Sequence, residues 1–313
     1  AVVPPNLTEW LQTSIGDNNP GVANEAGFVF RGTLNTPVNN ARSYQLYLDL
    51  ENASLDYHED WPALTALNGR LLVDDETIDA SVFSGKLYES DVSGVHIATR
   101  PNPQDEGAIL TVTGDVAGIA SDGLRVLREG YMREMIGSNM DSWYFQGTHH
   151  TRVDIAVPLL ADAKGASQQV DVDFNMPLVG MENLSLYLRN VDGQLSYSSE
   201  KGLVGDKLTA LLFDQPVSAT LETRQDDNEQ ATLIHLEGQV DADDLAGWAS
   251  RPEILFFKGL VPYQATVAIA HKGDAADTDN RTLVSVIAKS NLSGTLVDLP
   301  EPFAKPAEAE RDL

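Results

Sequence analysis

The sequence predicts a mainly β protein of antiparallel strands with a few short helices, and three observations carry that prediction. Apolar and polar residues alternate with a period of two along most of the chain, the mark of half-buried strands. Short turn-forming stretches separate the runs, which favours hairpins and hence antiparallel pairing. One stretch also resembles another upstream: Asp192 to Arg224, DGQLSYSSEKGLVGDKLTALLFDQPVSATLETR, is a diverged copy of Asn68 to Arg100.

Glycines fix the register of the copies. Gly69 and Gly193 lie 124 residues apart, as do Gly114 and Gly238, and Gly123 and Gly247. A fixed spacing of this kind is the signature of stacked supersecondary units. It predicts a first β unit with short helices over residues 1–136 and a second, continuous with it, over 137–299. Residues 300–313, PEPFAKPAEAERDL, mix proline with charge and read as an exposed tail or linker.

In chain order, Asn6 to Thr13 is a short helix candidate, with Leu7, Trp10 and Leu11 at helical spacing. Strand candidates follow at Phe28 to Leu34 and Ser43 to Leu50. In the second of these, Leu46, Leu48 and Leu50 share one face and Tyr47 and Asp49 the other. Val153, Ile155 and Val157 oppose Asp154; Val170, Val172 and Phe174 oppose Asp171 and Asp173. Leu184, Leu186 and Leu188 oppose Ser185 and Tyr187. Val217, Ala219 and Leu221 oppose Ser218, Thr220 and Glu222, and Val267 and Ile269 oppose Thr266 and Ala268. Asn68-Gly69, Asp192-Gly193, Lys201-Gly202, Asp226 to Asn228 and Lys272 to Arg281 are the expected hairpin connections. Ser121 and Asp243 are expected helix caps, the first before Leu124, Leu127, Met132 and Met135, the second before Leu245 and Trp248. Gly137 to Gly147 is a candidate junction, which Trp143, Tyr144 and Phe145 make a packed one.

So many one-sided strands with so few helices leave two solutions. Two sheets close on each other as a sandwich, the commoner fate of alternating strands, or one long sheet curls into a trough lined by its apolar face. The rows at Leu46, Leu48, Val153, Ile155, Val157, Val170, Val172, Leu186, Val217, Ala219, Leu221, Val267 and Ile269 line either a dry core or a lane for acyl chains.

The totals exclude several function classes. Acidic residues number 47 against 21 basic, a net charge of −26, which repels nucleic acid and anionic surfaces. There is no cysteine, hence no disulfide framework and no thiolate metal site. No run approaches the ~18–20 apolar residues of a membrane span. His149-His150 is the one tempting metal motif, but neighbours on a strand point to opposite faces. His58-Glu59-Asp60 before Trp61-Pro62 reads as a turn. The chain has no nucleophile elbow, phosphate loop, dinucleotide fingerprint or zinc helix, so no catalytic residue and no cofactor is expected. Trp61, Trp143, Tyr144, Phe145, Trp248, Phe256 and Phe257 read as packing at sheet ends.

Near the C-terminus, Ser290-Asn291-Leu292-Ser293-Gly294 followed by Leu299-Pro300-Glu301-Pro302-Phe303-Ala304-Lys305 resembles a recurring signature of the YhdP proteins, members of the AsmA-like group. Trp61-Pro62 leading into Asn68-Gly69, Ser121-Asp122-Gly123-Leu124 and Phe213-Asp214-Gln215-Pro216-Val217 are similar to that family as well. The copy near 175–180, Asn175-Met176-Pro177-Leu178-Val179-Gly180, departs from the signature. The resemblance implies a long, strongly bent antiparallel sheet forming an apolar groove from repeated units. It implies a periplasmic piece of a longer Gram-negative envelope protein anchored in the inner membrane. Phospholipids would be its cargo, and inner- and outer-membrane envelope proteins its partners.

Overall fold

A computed structural model of the chain describes residues 21–32, 43–56, 61–75, 77–129, 133, 140–160, 163–226, 229–271 and 283–309. Its strands are β1 (Val22–Arg31), β2 (Ser43–Leu55), β3 (Leu64–Asp74), β4 (Thr77–Leu87), β5 (Ser90–Pro101), β6 (Ala108–Ile119), β7 (Trp143–Pro158), β8 (Ser167–Met181), β9 (Leu186–Ser198), β10 (Gly202–Leu212), β11 (Gln215–Asp226), β12 (Glu229–Asp241), β13 (Phe257–Lys258), β14 (Leu260–His271), β15 (Leu283–Lys289) and β16 (Leu296–Val297). Two helices, α1 (Ala120–Arg128) and α2 (Ala242–Ala249), follow β6 and β12. Fourteen strands form one open antiparallel sheet in sequence order, β1 to β12, then β14 and β15; β13 and β16 pair separately. In place of the two sheets of the sandwich that periodicity alone favours, these fourteen strands pair in a single sheet.

The chain divides into two compact units, Ala1–Met135 with His149–Asp171, and Ile136–Thr148 with Val172–Leu313. The division passes through β7 and β8. Each unit contains four strands in succession followed by a helix: β3 to β6 and α1 in the first, β9 to β12 and α2 in the second.

Asn68-Gly69 and Asp192-Gly193 are not hairpin turns. Both lie inside strands, at bulges where the pairing register shifts. A left-handed residue precedes each glycine by three positions: Ala66 (φ 48°) and Asn190 (φ 49°). A Cβ on Gly69 would come within 2.5 Å of the Ser81 carbonyl; on Gly193 it would lie 2.6 Å from the Leu208 side chain. The dipeptides that suit a tight turn also suit a bulge, where glycine lets the neighbouring strand come close. Ser199 to Lys201 does connect β9 to β10. Asn6 to Thr13, His58 to Asp60, Met132, Met135, Asp227-Asn228 and the tract from Lys272 to Arg281 lie outside the described residues.

The helix caps sit two residues earlier than the sequence suggested. Ile119 precedes α1 and makes no side-chain cap. Asp241, not Asp243, caps α2, accepting from the Asp243 N–H at 2.9 Å. Leu184 also leaves its expected strand: it ends a 3₁₀ turn, and Ser185 (φ 52°) turns the chain into β9.

Each helix is fixed by the hairpin turn that precedes its own strand pair. In the first unit, Asp122 of α1 accepts from the Glu89 N–H at 3.0 Å and from the Ser90 hydroxyl at 2.7 Å. Arg125 stacks over the Tyr88 ring at 3.9 Å and pairs with Glu129 at 2.8 Å, while the Tyr88 hydroxyl donates to Glu129. The Arg125 and Tyr88 bonds hold the Glu129 carboxyl below its usual range, and burial with the Glu129 bond pushes the Tyr88 phenol up. In the second unit the corresponding contact is aromatic. Phe213, like Tyr88 in the left-handed region (φ 50° and 55°), packs on Trp248 of α2 at 6.2 Å between centroids. The Trp248 Nε1–H donates to the Leu184 carbonyl at 2.8 Å. Here the family-like residues Asp122 and Phe213 do structural work.

The segment after Pro300 is not a free linker. Lys305 is 2% exposed, and its ammonium donates to the carbonyls of Leu292 and Thr295, both at 2.7 Å, and of Pro306 at 3.1 Å. Val297 and Lys305 exchange backbone hydrogen bonds, and the Gly294 N–H donates to the Ala307 carbonyl. Leu292 is buried with Val240, Ala242, Val261 and Val297 in the core of this unit. The SNLSG and LPEPFAK signature is therefore a closed loop wrapped around one lysine.

Candidate functional site

The two faces of the sheet differ in chemistry, and strand register shows it unit by unit. In the first unit Ala26, Leu48, Leu71, Ala80, Ile97 and Val112 are successive cross-strand partners from β1 to β6. Phe28, Leu46, Val73 and Ile78 form the adjoining row on the same face. The other face carries a polar row, Glu25, Asp49, Arg70, Ser81, His96 and Thr113, in which Arg70 pairs with Asp49 at 2.9 Å. Cross-strand partners lie on one face of a sheet, so each row is uniform in character across six strands.

Polar contacts place β7 and β8. His150 bonds Asp115 of β6 at 2.9 Å and Arg152 approaches it at 3.6 Å, so even-numbered residues of β7 share the face of Asp115. Val153, Ile155 and Val157 therefore lie on the apolar side, with Val157 exposed. On β8, Gln169 bonds Asp171 at 2.8 Å, which leaves Val170 on the opposite side within the first unit. In the second unit Gln194 bonds Asp173, and Asn175 bonds Asp192 at 2.9 Å, which separates Val172 and Phe174 from these polar groups.

The second unit has the clearest segregation. Leu221, Ile234, Val267 and Val286 form one cross-strand row, and Leu208, Ala219, Leu236, Ala265 and Ala288 the next. Opposite them run Ser218, Glu237, Gln264 and Lys289, then Thr220, His235, Thr266 and Ile287. Val217 is buried, whereas Ala219, Leu221, Ile234, Leu236, Ala265, Val267 and Ile269 are only half-buried, and Val284 and Val286 are exposed at the β15 edge. Leu186 opens β9, half-buried. Leaving complete apolar rows partly open is a continuing cost, because each fully buried Val, Leu or Ile side chain contributes ~1.5–3 kcal/mol.

Sequence reasoning missed Leu71, Ile97, Val112, Ile234 and Leu236. In Leu71-Leu72-Val73 and Leu233-Ile234 consecutive apolar residues hide the phase, and only register against Leu48 or Leu221 reveals which member faces the row.

The histidine pair behaves as strand neighbours should. His149 and His150 point to opposite faces; His149 Nδ1 bonds Thr151 at 3.0 Å, and its buried Nε2 has no hydrogen-bond partner among the described residues. Burial holds the His149 imidazole below its ordinary value. Among the described residues no group of three or more His, Asp or Glu side chains is arranged for a metal ion. Tyr144 packs on Gly180, and Phe257 joins the core around Leu292, as packing residues do. Among the described residues no helix is long and apolar enough to cross a membrane.

Sheet order, segregated faces and the lysine-centred loop frame the comparison with known proteins. The "Intermembrane phospholipid transporter YhdP" of Escherichia coli (strain K12) is 24% identical over 308 residues, an alignment covering 96% of this chain and 23% of that protein. No solved structure matches the chain. A family model described as "YhdP protein" matches residues 1–313, so the signature residues from Ser290 to Lys305 lie within a chain that belongs to the YhdP family.

Proposed function

We propose that this chain is a segment of a bridge-like phospholipid transporter, and that acyl chains travel over the apolar faces of its two units. The observation that carries this is the uncharged row Leu221, Ile234, Val267 and Val286, half-buried on its first three strands and exposed at the β15 edge, with Thr220, His235 and Thr266 one residue away on the opposite face of those three strands. A dry core would bury such residues; a surface meant only for solvent would not segregate them. An acyl chain supplies the missing cover without asking for a polar anchor, and passage requires that no single contact hold tightly. The name of the Escherichia coli relative supports the same cargo. We place the segment in the periplasm, within a protein anchored in the inner membrane that passes lipid between inner and outer membranes, and give it no catalytic role.

Photo-crosslinking in the full-length protein tests the proposal. A crosslinker at Leu221 or Ile155 is expected to yield phospholipid adducts, and one at Thr220 or Asp154 to yield few. Protein adducts alone at Leu221 and Ile155 would refute lipid passage and leave a scaffolding envelope module.

A further inference from the structure

The polar face of the first unit is not polar throughout. Beside the charged row from Glu25 to Thr113 runs a second, Gly27, Tyr47, Leu72, Asp79, Ala98 and Thr111, and beyond it a third, Val29, Gln45, Asp74 and Thr77. Tyr47 and Leu72 are direct cross-strand partners. Arg70, two residues from Leu72 on β3, lies over the Phe83 ring at 5.5 Å, so Phe83 shares this face. Val29, Tyr47, Leu72, Arg70 and Phe83 thus form one contiguous island. Phe83 is 54% exposed, Val29 47% and Leu72 45%.

Three features separate this island from apolar residues scattered singly over a surface. It lies opposite the row Leu48, Leu71, Ala80 and Ile97, so acyl chains on that row do not require it. The polar face of the second unit carries Ser218, Glu237, Gln264 and Lys289, then Thr220, His235, Thr266 and Ile287, with no aromatic ring among them, so a sheet of this kind does not require it either. Its composition, a guanidinium with two aromatic rings and aliphatic side chains, is that of a protein-binding hot spot. Arg70 is already fixed, by Asp49 at 2.9 Å and by the Phe83 ring, which lowers the cost of ordering these groups when a partner arrives.

The surrounding charge selects the partner. In the three rows Glu25, Asp49, Asp74 and Asp79 stand against Arg70, and among the described residues Asp74 and Asp79 make no ion pair. These two are diagonal neighbours across β3 and β4. An anionic membrane surface is repelled there, and a second copy of the chain brings the same carboxylates. A protein segment that sets a lysine or arginine beside an apolar side chain complements both the carboxylates and the island.

We infer that this island is a docking surface for a cationic protein segment, which seats an apolar side chain against Tyr47, Leu72 and Phe83 and a lysine or arginine at Asp74 and Asp79. Docking uses the face opposite to the one assigned to lipid, so neither role stands or falls with the other.

Fluorescence anisotropy with a short synthetic peptide in which lysine alternates with leucine tests the surface. The peptide is expected to bind, L72S/F83S to weaken it about ten-fold, and D74N/D79N about three-fold with a shallower salt dependence. All four side chains are exposed, so both variants are expected to melt as the unaltered protein does. V267D, on the apolar face of the second unit, is expected to leave the affinity unchanged, and a peptide alternating glutamate with leucine to bind at least ten-fold more weakly. Affinity in L72S/F83S within two-fold of the unaltered protein, or equal binding of the glutamate peptide, would overturn the docking surface. In cells, a photo-crosslinker at Phe83 of the full-length protein is expected to join it to another protein through a segment containing lysine or arginine. Phospholipid adducts there, or crosslinks between two copies of the chain, would overturn a cationic protein segment as the occupant.

Discussion

Removing the Lys305 ammonium is expected to open the C-terminal loop of the second unit. Three carbonyls, of Leu292, Thr295 and Pro306, take hydrogen bonds from it at 2.7, 2.7 and 3.1 Å, on a side chain that is 2% exposed. A hydrogen bond to a charged group contributes ~1.5–3 kcal/mol, so the three sum to several kcal/mol. Burying an ammonium without a carboxylate offsets part of that, which leaves a net loss of ~3–4 kcal/mol for Lys305→Met, where the stem volume is kept but the carbonyls go unmet. In a cooperative unit of this size each kcal/mol lowers Tm by ~2–4 °C, so a fall of about 10 °C is expected. Thermal unfolding by circular dichroism measures the fall. Hydrogen exchange locates it, because the amides of Gly294 and Val297 donate into this loop. If Lys305→Met melted within about 1 °C of the unaltered protein and the Val297 amide still exchanged slowly, the lysine-centred loop would not be what fastens this end of the sheet.

Further outcomes follow from the faces, the glycines and the buried imidazole. Val267→Asp places a carboxylate in the middle of the apolar row and Thr266→Asp places one on the polar face of the same strand; bound lipid is expected to fall several-fold in the first and to hold in the second. Gly69→Ala brings its methyl against the Ser81 carbonyl and is expected to cost ~1–3 kcal/mol by denaturant midpoint. Gly247→Ala, in α2 with nothing within 4 Å of the new methyl, is expected to stabilise by ~0.5–1 kcal/mol. His149 has a folded-state pKa below its ordinary value because it is buried. The unfolded chain therefore binds the proton first, and stability falls as the pH drops below ~6.5, levelling only below the folded value. His149→Gln is expected to flatten the stability profile between about pH 7 and 5, and an unchanged slope in urea titrations would contradict the assignment.

What could be read in advance follows from what periodicity encodes. Alternation at Val217 to Glu222 fixes which residues share a face, and the structure keeps that division intact. It does not encode what lies opposite the apolar face, so a sandwich and a single sheet produce the same pattern until pairing is known. Turn chemistry is ambiguous in a similar way: Asn68-Gly69 satisfies a hairpin or a bulge, and the choice depends on whether β4 approaches closely enough to exclude a side chain. Asp241 and Asp243 are both good caps by composition; the backbone decides between them. Lys305 misled because a lysine beside prolines in an acidic tail reads as solvated, and the carbonyls of Leu292 and Thr295, contributed from earlier in the loop, leave no trace in the residues next to it.

The strictly sequential strand order has a consequence for assembly. With β13 set aside, every ladder of the large sheet joins strands that are neighbours along the chain, so no ladder must wait for a distant segment. Low sequence separation between partners favours rapid folding, and nearest-neighbour architectures can propagate outward from wherever the first hairpin closes. Such a chain can zip strand by strand while its remainder is still being delivered, with the unfinished edge always prepared to receive the next strand to arrive.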